Sequence, residues 1–255
     1  MSDNQPNDRQ RLIGGLLGVI VGDAIGVPWE FQPANTAPRP TPAAGFGSFQ
    51  QQPGTWSDDG SMTLALLESL LEVGWDLDDQ GRRFLAWFDD AQYTATSVRF
   101  DSGAATAAAL ERIRSGTPAA EAGSDDDRSQ SNGGLMRILP VALMGRDLSD
   151  ADLVARAEAA TAVTHAHPRV VVASAIYLLV ARALLRGEAP RRAIDWAVAT
   201  LGDLYASTPE KRGLIASCLV HKNGLGHAYV ADSLLSALTA LDQGGSFRDV
   251  VEIAI

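Results

Sequence analysis

Apolar residues recur along this chain at intervals of three and four, and no stretch sustains alternation at every second position. Leu64, Leu67, Leu70 and Leu71 mark a helix over about 59–73, and Phe84, Leu85, Trp87 and Phe88 mark another over 78–90. A small-residue helix follows over 104–114, and a further one over 149–163. Residues 169–186 carry Val170, Val171, Ile176, Leu178, Leu179, Leu184 and Leu185, and read as a buried central helix. Helices at about 190–206, 209–219 and 228–242 come next, and Ser246 caps a last one reaching Ile255. At the other end a polar, loose tail over 1–8 leads into a helix running to about Asp23. Gly14, Gly18 and Gly22 share one face of that helix, which implies a neighbouring helix at close approach. No repeat or low-complexity tract interrupts this pattern, so the expected fold is all-α.

The breaks between helices hold the chemistry. Gly22-Asp23-Ala24-Ile25-Gly26-Val27-Pro28-Trp29-Glu30-Phe31 re-aims the chain with two glycines and a proline. In it Asp23 reads as a turn or buried hydrogen-bonding acid, and Glu30 as a loop charge. Residues 32–53 contain five prolines and form a long loop of the kind that often serves as a lid. Trp56-Ser57-Asp58-Asp59 then opens a helix. Ser57 or Asp58 can cap it, while two adjacent carboxylates and a hydroxyl also suit a hard divalent cation; the residues alone leave both readings open. Asp101 or Ser102 can cap the helix at 104. Asp125, Asp126 and Asp127 read as a solvated loop. Ser131-Asn132-Gly133-Gly134 precedes a helix start with Arg137 one turn inside, either an ordinary turn or a nest of N–H groups for an anion. His165 and His167 lack zinc-ligand spacing and read as hydrogen-bonding groups at a helix start.

Composition narrows the choice. The 255 residues are 46% hydrophobic and 20% charged, ordinary for a globular chain. A net charge of −10 argues against a nucleic-acid footprint but not against a small phosphate-bearing ligand. Cys218 is the single cysteine, so neither an intrachain disulfide nor a cysteine zinc cluster can form. That suits a reducing compartment, and a cytoplasmic location is expected. The longest apolar run, Leu12 to Gly22, is short for a bilayer. No cleavage signature follows Arg9 and Arg11, so no membrane role is expected.

Five stretches, in order, resemble the ADP-ribosylglycohydrolase family. They are Gly22 to Phe31, Trp56-Ser57-Asp58-Asp59 with Ser61-Met62, Phe100-Asp101-Ser102-Gly103 with Thr106, Asn132-Gly133-Gly134-Leu135-Met136-Arg137 with Pro140, and Thr164-His165. The resemblance spans Leu12 to Ile255 and implies one domain over 9–255 folded as a compact orthogonal helical bundle. It also implies a two-metal site for Mg²⁺ or Mn²⁺ with Ser57, Asp58 and Asp59 as ligands. By the same resemblance Glu30, Asp59 and Asp101 are catalytic, Ser131, Asn132, Gly133, Gly134 and Arg137 form the diphosphate loop, and His165 lines the ribose end of the cleft. The implied reaction removes ADP-ribose from a protein side chain or a small ADP-ribosyl compound. Three departures stand out. Gly60 replaces a frequent Thr, Ala104 replaces a frequent Asn, and the family's second metal motif, Asp-x-Asp-Thr, does not occur within these residues. The third implies an incomplete metal cage. It raises the alternative of a catalytically impaired ADP-ribose-binding or structural relative.

Overall fold

The structure, a computed structural model, describes residues 6–32, 45–220 and 228–255. Its elements are α1 (Asp8–Gly26), α2 (Asp58–Glu72), α3 (Leu77–Asp90), α4 (Ala104–Arg114), α5 (Leu139–Met144), α6 (Asp150–Ala162), α7 (Pro168–Leu185), α8 (Pro190–Leu204), α9 (Pro209–Ser217), α10 (Val230–Gln243) and α11 (Phe247–Ala254). Short 3₁₀ turns occupy Val27–Trp29, Ala119–Glu121 and Asn132–Gly134. Isolated bridges are the only β-type pairing among the described residues, so the all-helical expectation holds. The expected lid falls largely on 33–44, outside the described residues.

Helix α7 is the axis. A helix apolar on every side must be surrounded, and thirteen of its residues, from Val170 to Ala183, are buried. Its start is fixed by Pro168 in the first turn, where a missing N–H costs nothing, and by the His167 ring, which accepts from Arg169 N. Helices α5, α6, α8, α9 and α10 pack around it. Helix α5 also joins α2, which carries α3 and then α4, so the layer holding the chemistry leans on the α7 core through α5. Met62, Leu66, Phe84, Trp87 and Leu110 seal that second layer, each no more than 1% exposed.

Helix α1 departs from expectation. It runs past Asp23 to Gly26 and continues through Pro28 in a 3₁₀ turn, because proline is tolerated in a first turn. With that extension it, like α7, is long and apolar enough to cross a bilayer by length and composition, a test that a core helix also passes. Unlike α7 it is mostly uncovered, and Ile13, Leu17 and Val21 are exposed. The glycine face is not the contact face. A methyl group added at Gly14 or Gly22 would meet none of the described residues within 4 Å, whereas one at Gly15 would lie 3.3 Å from Leu143. Only Gly18 of the three meets a neighbour, the Phe247 ring at 3.6 Å. Gly14 and Gly22 therefore add backbone freedom without a steric return. Gly14→Ala and Gly22→Ala are expected to raise unfolding free energy by about 0.5–1 kcal/mol each in urea denaturation. A loss of stability in either would show that another surface covers this face.

Candidate active site

The end of α1 delivers Asp23 to the start of α2. Its carboxylate accepts from Ser57 N at 2.9 Å, Ser57 Oγ at 2.8 Å and Gly60 N at 2.8 Å. A helix start leaves backbone N–H groups without partners, and here an acid from another helix satisfies them. Ser57 stands at the cap position, but its own bond from Asp59 N is long, 3.4 Å. Ser57 caps the helix as expected, and Asp23 adds a stronger tertiary cap. Gly60 follows from it: a Cβ there would sit 2.9 Å from Asp23 Oδ2 and 2.7 Å from Trp56 Cδ1. Trp56 in turn donates from Nε1 to Tyr93 O at 2.9 Å, fastening the 91–103 loop to the same helix start. Tyr93 is further held through its hydroxyl by Glu68, which also pairs with Arg83. That loop carries Asp101. Neither Asp101 nor Ser102 caps α4; Gly103 holds the cap position without a side-chain bond, and Ser102 Oγ accepts from Arg99 at 2.9 Å.

Asp23, Glu30, Asp58, Asp59 and Asp101 consequently crowd one region. Burial, then repulsion from Asp101 and Asp23, pushes Glu30 up to about 7, so it is no mere surface loop charge. Burial, then Asp101, Asp23 and Glu30, pushes Asp58 up to about 8. Burial leads for Asp23 too, raised to about 6 against three opposing hydrogen bonds, and Asp59 is held well above the carboxylate range by burial and the other four acids. Among the described residues, no salt bridge reaches any of the five. No three acids or imidazoles among these residues converge closely enough to grip a metal ion as they stand. The donor chemistry nevertheless fits a hard divalent cation: clustered oxygen ligands with uncompensated charge.

Ser131 leads into the Asn132–Gly134 turn, which packs on α6, α7 and α10. His165 bridges two hydroxyls, Ser131 Oγ at 2.8 Å from Nε2 and Thr164 Oγ1 at 2.8 Å from Nδ1. Burial, with Arg137 adding repulsion, presses it down to about 3, so the ring is neutral. Gly133 and Gly134 leave room for that ring and for Thr161; a Cβ would lie 2.7 Å from His165 Cε1 at the first and 2.8 Å from Thr161 Cγ2 at the second. Asn132 N donates to Ala228 O at 2.8 Å, which removes this N–H from any anion nest. Arg137 is turned inward and 1% exposed, donating to Gly133 O and, at 3.2 Å, to Ala160 O, with its guanidinium 4.8 Å over Phe84. The expectation that Arg137 touches a ligand therefore changes. It braces the turn from behind, buried, with a donor from each terminal nitrogen placed on a backbone carbonyl. Sequence reasoning left Asp23 out of the site; an acid between two helix-compatible glycine turns signals burial, but not which helix start it serves.

Comparison with known proteins agrees with the sequence resemblance. The profile of the ADP-ribosylglycohydrolase family matches residues 4–255, and the chain belongs to that family. It is 26% identical over 249 residues to the ADP-ribosylarginine hydrolase Tri1 of Serratia proteamaculans, covering 94% of this chain and 64% of the relative. It is 26% identical to the ADP-ribosylarginine hydrolase Tri1 of Pseudomonas putida, covering 100% and 67%. Over 171 residues it is 32% identical to the ADP-ribosyl-[dinitrogen reductase] glycohydrolase of Rhodospirillum rubrum, covering 64% and 54%. The chain thus spans about two thirds of the length of the first two relatives. A solved structure titled ADP-ribosylglycohydrolase-related protein complex superposes with a TM-score of 0.78 at 31% identity, covering 97% of this chain and 80% of that one.

Two outcomes test this geometry. Asp23, Glu30 and Asp58 bind protons more tightly folded than unfolded, so the folded state carries more protons between about pH 4 and pH 8. Stability in a chelating buffer is therefore fullest near pH 4, as far as these groups go, and falls as pH rises through 6, 7 and 8. Denaturant midpoints from pH 5 to 8 should decline, and Asp58→Asn should flatten the decline; a flat wild-type profile would refute the crowding. Gly60→Ala should destabilise by about 1–3 kcal/mol despite alanine's better helix propensity, because its methyl group collides with Asp23 and Trp56. Unfolding that is unchanged or harder would mean that the Asp23 clasp is looser than drawn.

Proposed function

We propose that this chain supplies the ADP-ribose-binding and hydrolytic surface of a metal-dependent ADP-ribosyl hydrolase. Its substrate would be an ADP-ribosylated protein side chain or a small ADP-ribosyl compound. The observation that carries the reading is the gathering of five carboxylates without ion-pair partners among the described residues, in a chain that also carries the Ser131–Gly134 turn. Arg137 links the two, since it senses Asp58 on one side and His165 on the other. Two relatives named as ADP-ribosylarginine hydrolases favour arginine as the modified residue.

Ser57, Asp58 and Asp59 would hold Mg²⁺ or Mn²⁺, with Asp23 keeping the ligand-bearing turn in place. When bound, such an ion supplies Lewis acidity toward the ribose oxygens and a water of lowered pKa. The chain's own groups do the rest. Breaking a ribosyl bond develops oxocarbenium-like positive charge, which nearby carboxylates stabilise. Glu30, pushed up to about 7, can exchange a proton near neutrality at the leaving atom, with Asp101 opposite it in the acid cluster. The Ser131 hydroxyl, oriented by neutral His165, and the Gly133–Gly134 backbone would face the diphosphate, the Asn132 N–H being bonded to Ala228 O.

The test couples binding to turnover. Release of ADP-ribose from ADP-ribosylated arginine should need Mg²⁺ or Mn²⁺. Asp58→Asn and Asp59→Asn should weaken Mn²⁺ binding by at least about tenfold while circular dichroism is unchanged, as expected for loss of an anionic ligand. Mn²⁺ affinity that survives both substitutions would remove the ligand assignment. ADP-ribose that neither binds nor is released would remove the reading as a whole.

A further inference from the structure

Three phenylalanines from three chain segments meet at the acid cluster. Phe31 directly follows Glu30, and Phe100 directly precedes Asp101. Phe49 lies between them, its ring centroid 5.8 Å from that of Phe31 at 61° and 5.1 Å from that of Phe100 at 57°. The 46–51 turn that carries Phe49 closes on itself through a Phe46–Gln51 backbone pair, and Ser48 Oγ donates to Glu30 O at 2.6 Å. The array is therefore tied to the acid it borders. Phe31 is 77% exposed, at a φ of 62°, a region that bulky residues rarely adopt. A large apolar ring is held outward in this way, one residue from Glu30 and joined through Phe49 to Phe100, the neighbour of Asp101.

The surroundings specify the ligand's charge and shape. Aromatic faces carry negative potential, and Glu30 and Asp101 reinforce it, so an anion is disfavoured and a cation favoured. The protein's own adjacent cation does not fill the role. Arg99, next to Phe100, has its guanidinium 4.2 Å over Phe88 and donates to Phe88 O at 2.9 Å and to Ser102 Oγ at 2.9 Å, so it is committed elsewhere. A flat cation suits tilted rings better than a compact ammonium, because it stacks as well as attracts.

We infer that the Phe31–Phe49–Phe100 array beside Glu30 and Asp101 is the leaving-group platform, taking the planar guanidinium of the arginine that carries ADP-ribose. The inference rests on the hydrolase reading above and deepens it: it makes these rings the source of preference for arginine over an uncharged linkage such as serine. Phe31 and Phe49 are specificity residues here, since they act on the departing side chain and not on the ribose.

The probe is agmatine, a guanidinium dication without ADP-ribose, titrated into the full chain and followed by NMR, with 1,5-diaminopentane as a dication of similar length lacking the planar group. Agmatine should bind more tightly than 1,5-diaminopentane. Phe31→Ala and Phe49→Ala should each weaken it roughly three- to tenfold, as loss of a cation–π contact predicts, while Phe49→Tyr retains it. Calorimetry with ADP-ribose on the same proteins should show unchanged affinity. Equal binding of both amines, no agmatine binding by the wild type, or indifference to both alanine substitutions would overturn the platform even where ADP-ribose binds normally. Wild-type protein that takes agmatine but not ADP-ribose would instead overturn the hydrolase reading, and the arginine assignment with it.

Discussion

The site depends on one carboxylate accepting three hydrogen bonds. Asp23 takes the Ser57 amide, the Ser57 hydroxyl and the Gly60 amide, all within 2.9 Å. These bonds dock the start of α2 onto the end of α1 and settle where Asp58 and Asp59 lie. Left without them, a buried helix start would expose donors that water cannot reach, each at a cost of about 1–3 kcal/mol. The same bonds partly offset the burial of Asp23 itself. Gly60 and Trp56 follow as consequences, one by leaving room for the carboxylate, the other by carrying the fixed point outward to Tyr93 and the loop of Asp101.

That arrangement accepts electrostatic strain for a purpose. Five acids share a region, and burial and mutual repulsion raise the proton affinity of Asp23, Glu30, Asp58 and Asp59. A chain selected only for stability would pair or disperse such charges. Here the strain is borne by a frame that can hold it: α7 is buried on nearly every side, and α5 bridges it to α2. Charges held apart from partners in this way are poised for an added cation or for positive charge that develops during reaction.

Much of this could be read in the sequence. Helix positions followed from apolar spacing, because helices packed in a bundle bury a face and the pattern records it; α6 to α10 lie within a few residues of expectation. The acid pair at 58–59 and the Ser131–Gly134 turn stood out because their residue types are expensive without a use. What the pattern could not show was pairing between distant segments. Gly14, Gly18 and Gly22 share a face, yet spacing does not say whether a partner faces them, and two of the three meet none of the described residues. Asp23 read correctly as a buried hydrogen-bonding acid, but its partners, 34 and 37 residues away, are a tertiary fact. The aromatic array was invisible for the same reason, since Phe31, Phe49 and Phe100 approach only after the loops have closed.

Arg137 shows how much a side chain's direction decides. From sequence it sits one turn inside a glycine-rich start and invites the role of phosphate ligand. Folded, it points back, bonds the carbonyls of Gly133 and Ala160, and rests on Phe84. Burial presses its guanidinium down to about 9, which still leaves it charged at neutral pH. A buried charge of this kind acts on two neighbours at once. It opposes protonation of His165, so that ring stays neutral and its bond to Ser131 keeps a defined donor and acceptor. It also attracts Asp58, the one acid of the five for which it offers a counter-charge. One inward-turned arginine thereby acts between two regimes: the neutral, hydrogen-bonding ring of His165 on one side and the anionic Asp58 on the other. Had the same residue pointed outward, that division would be lost.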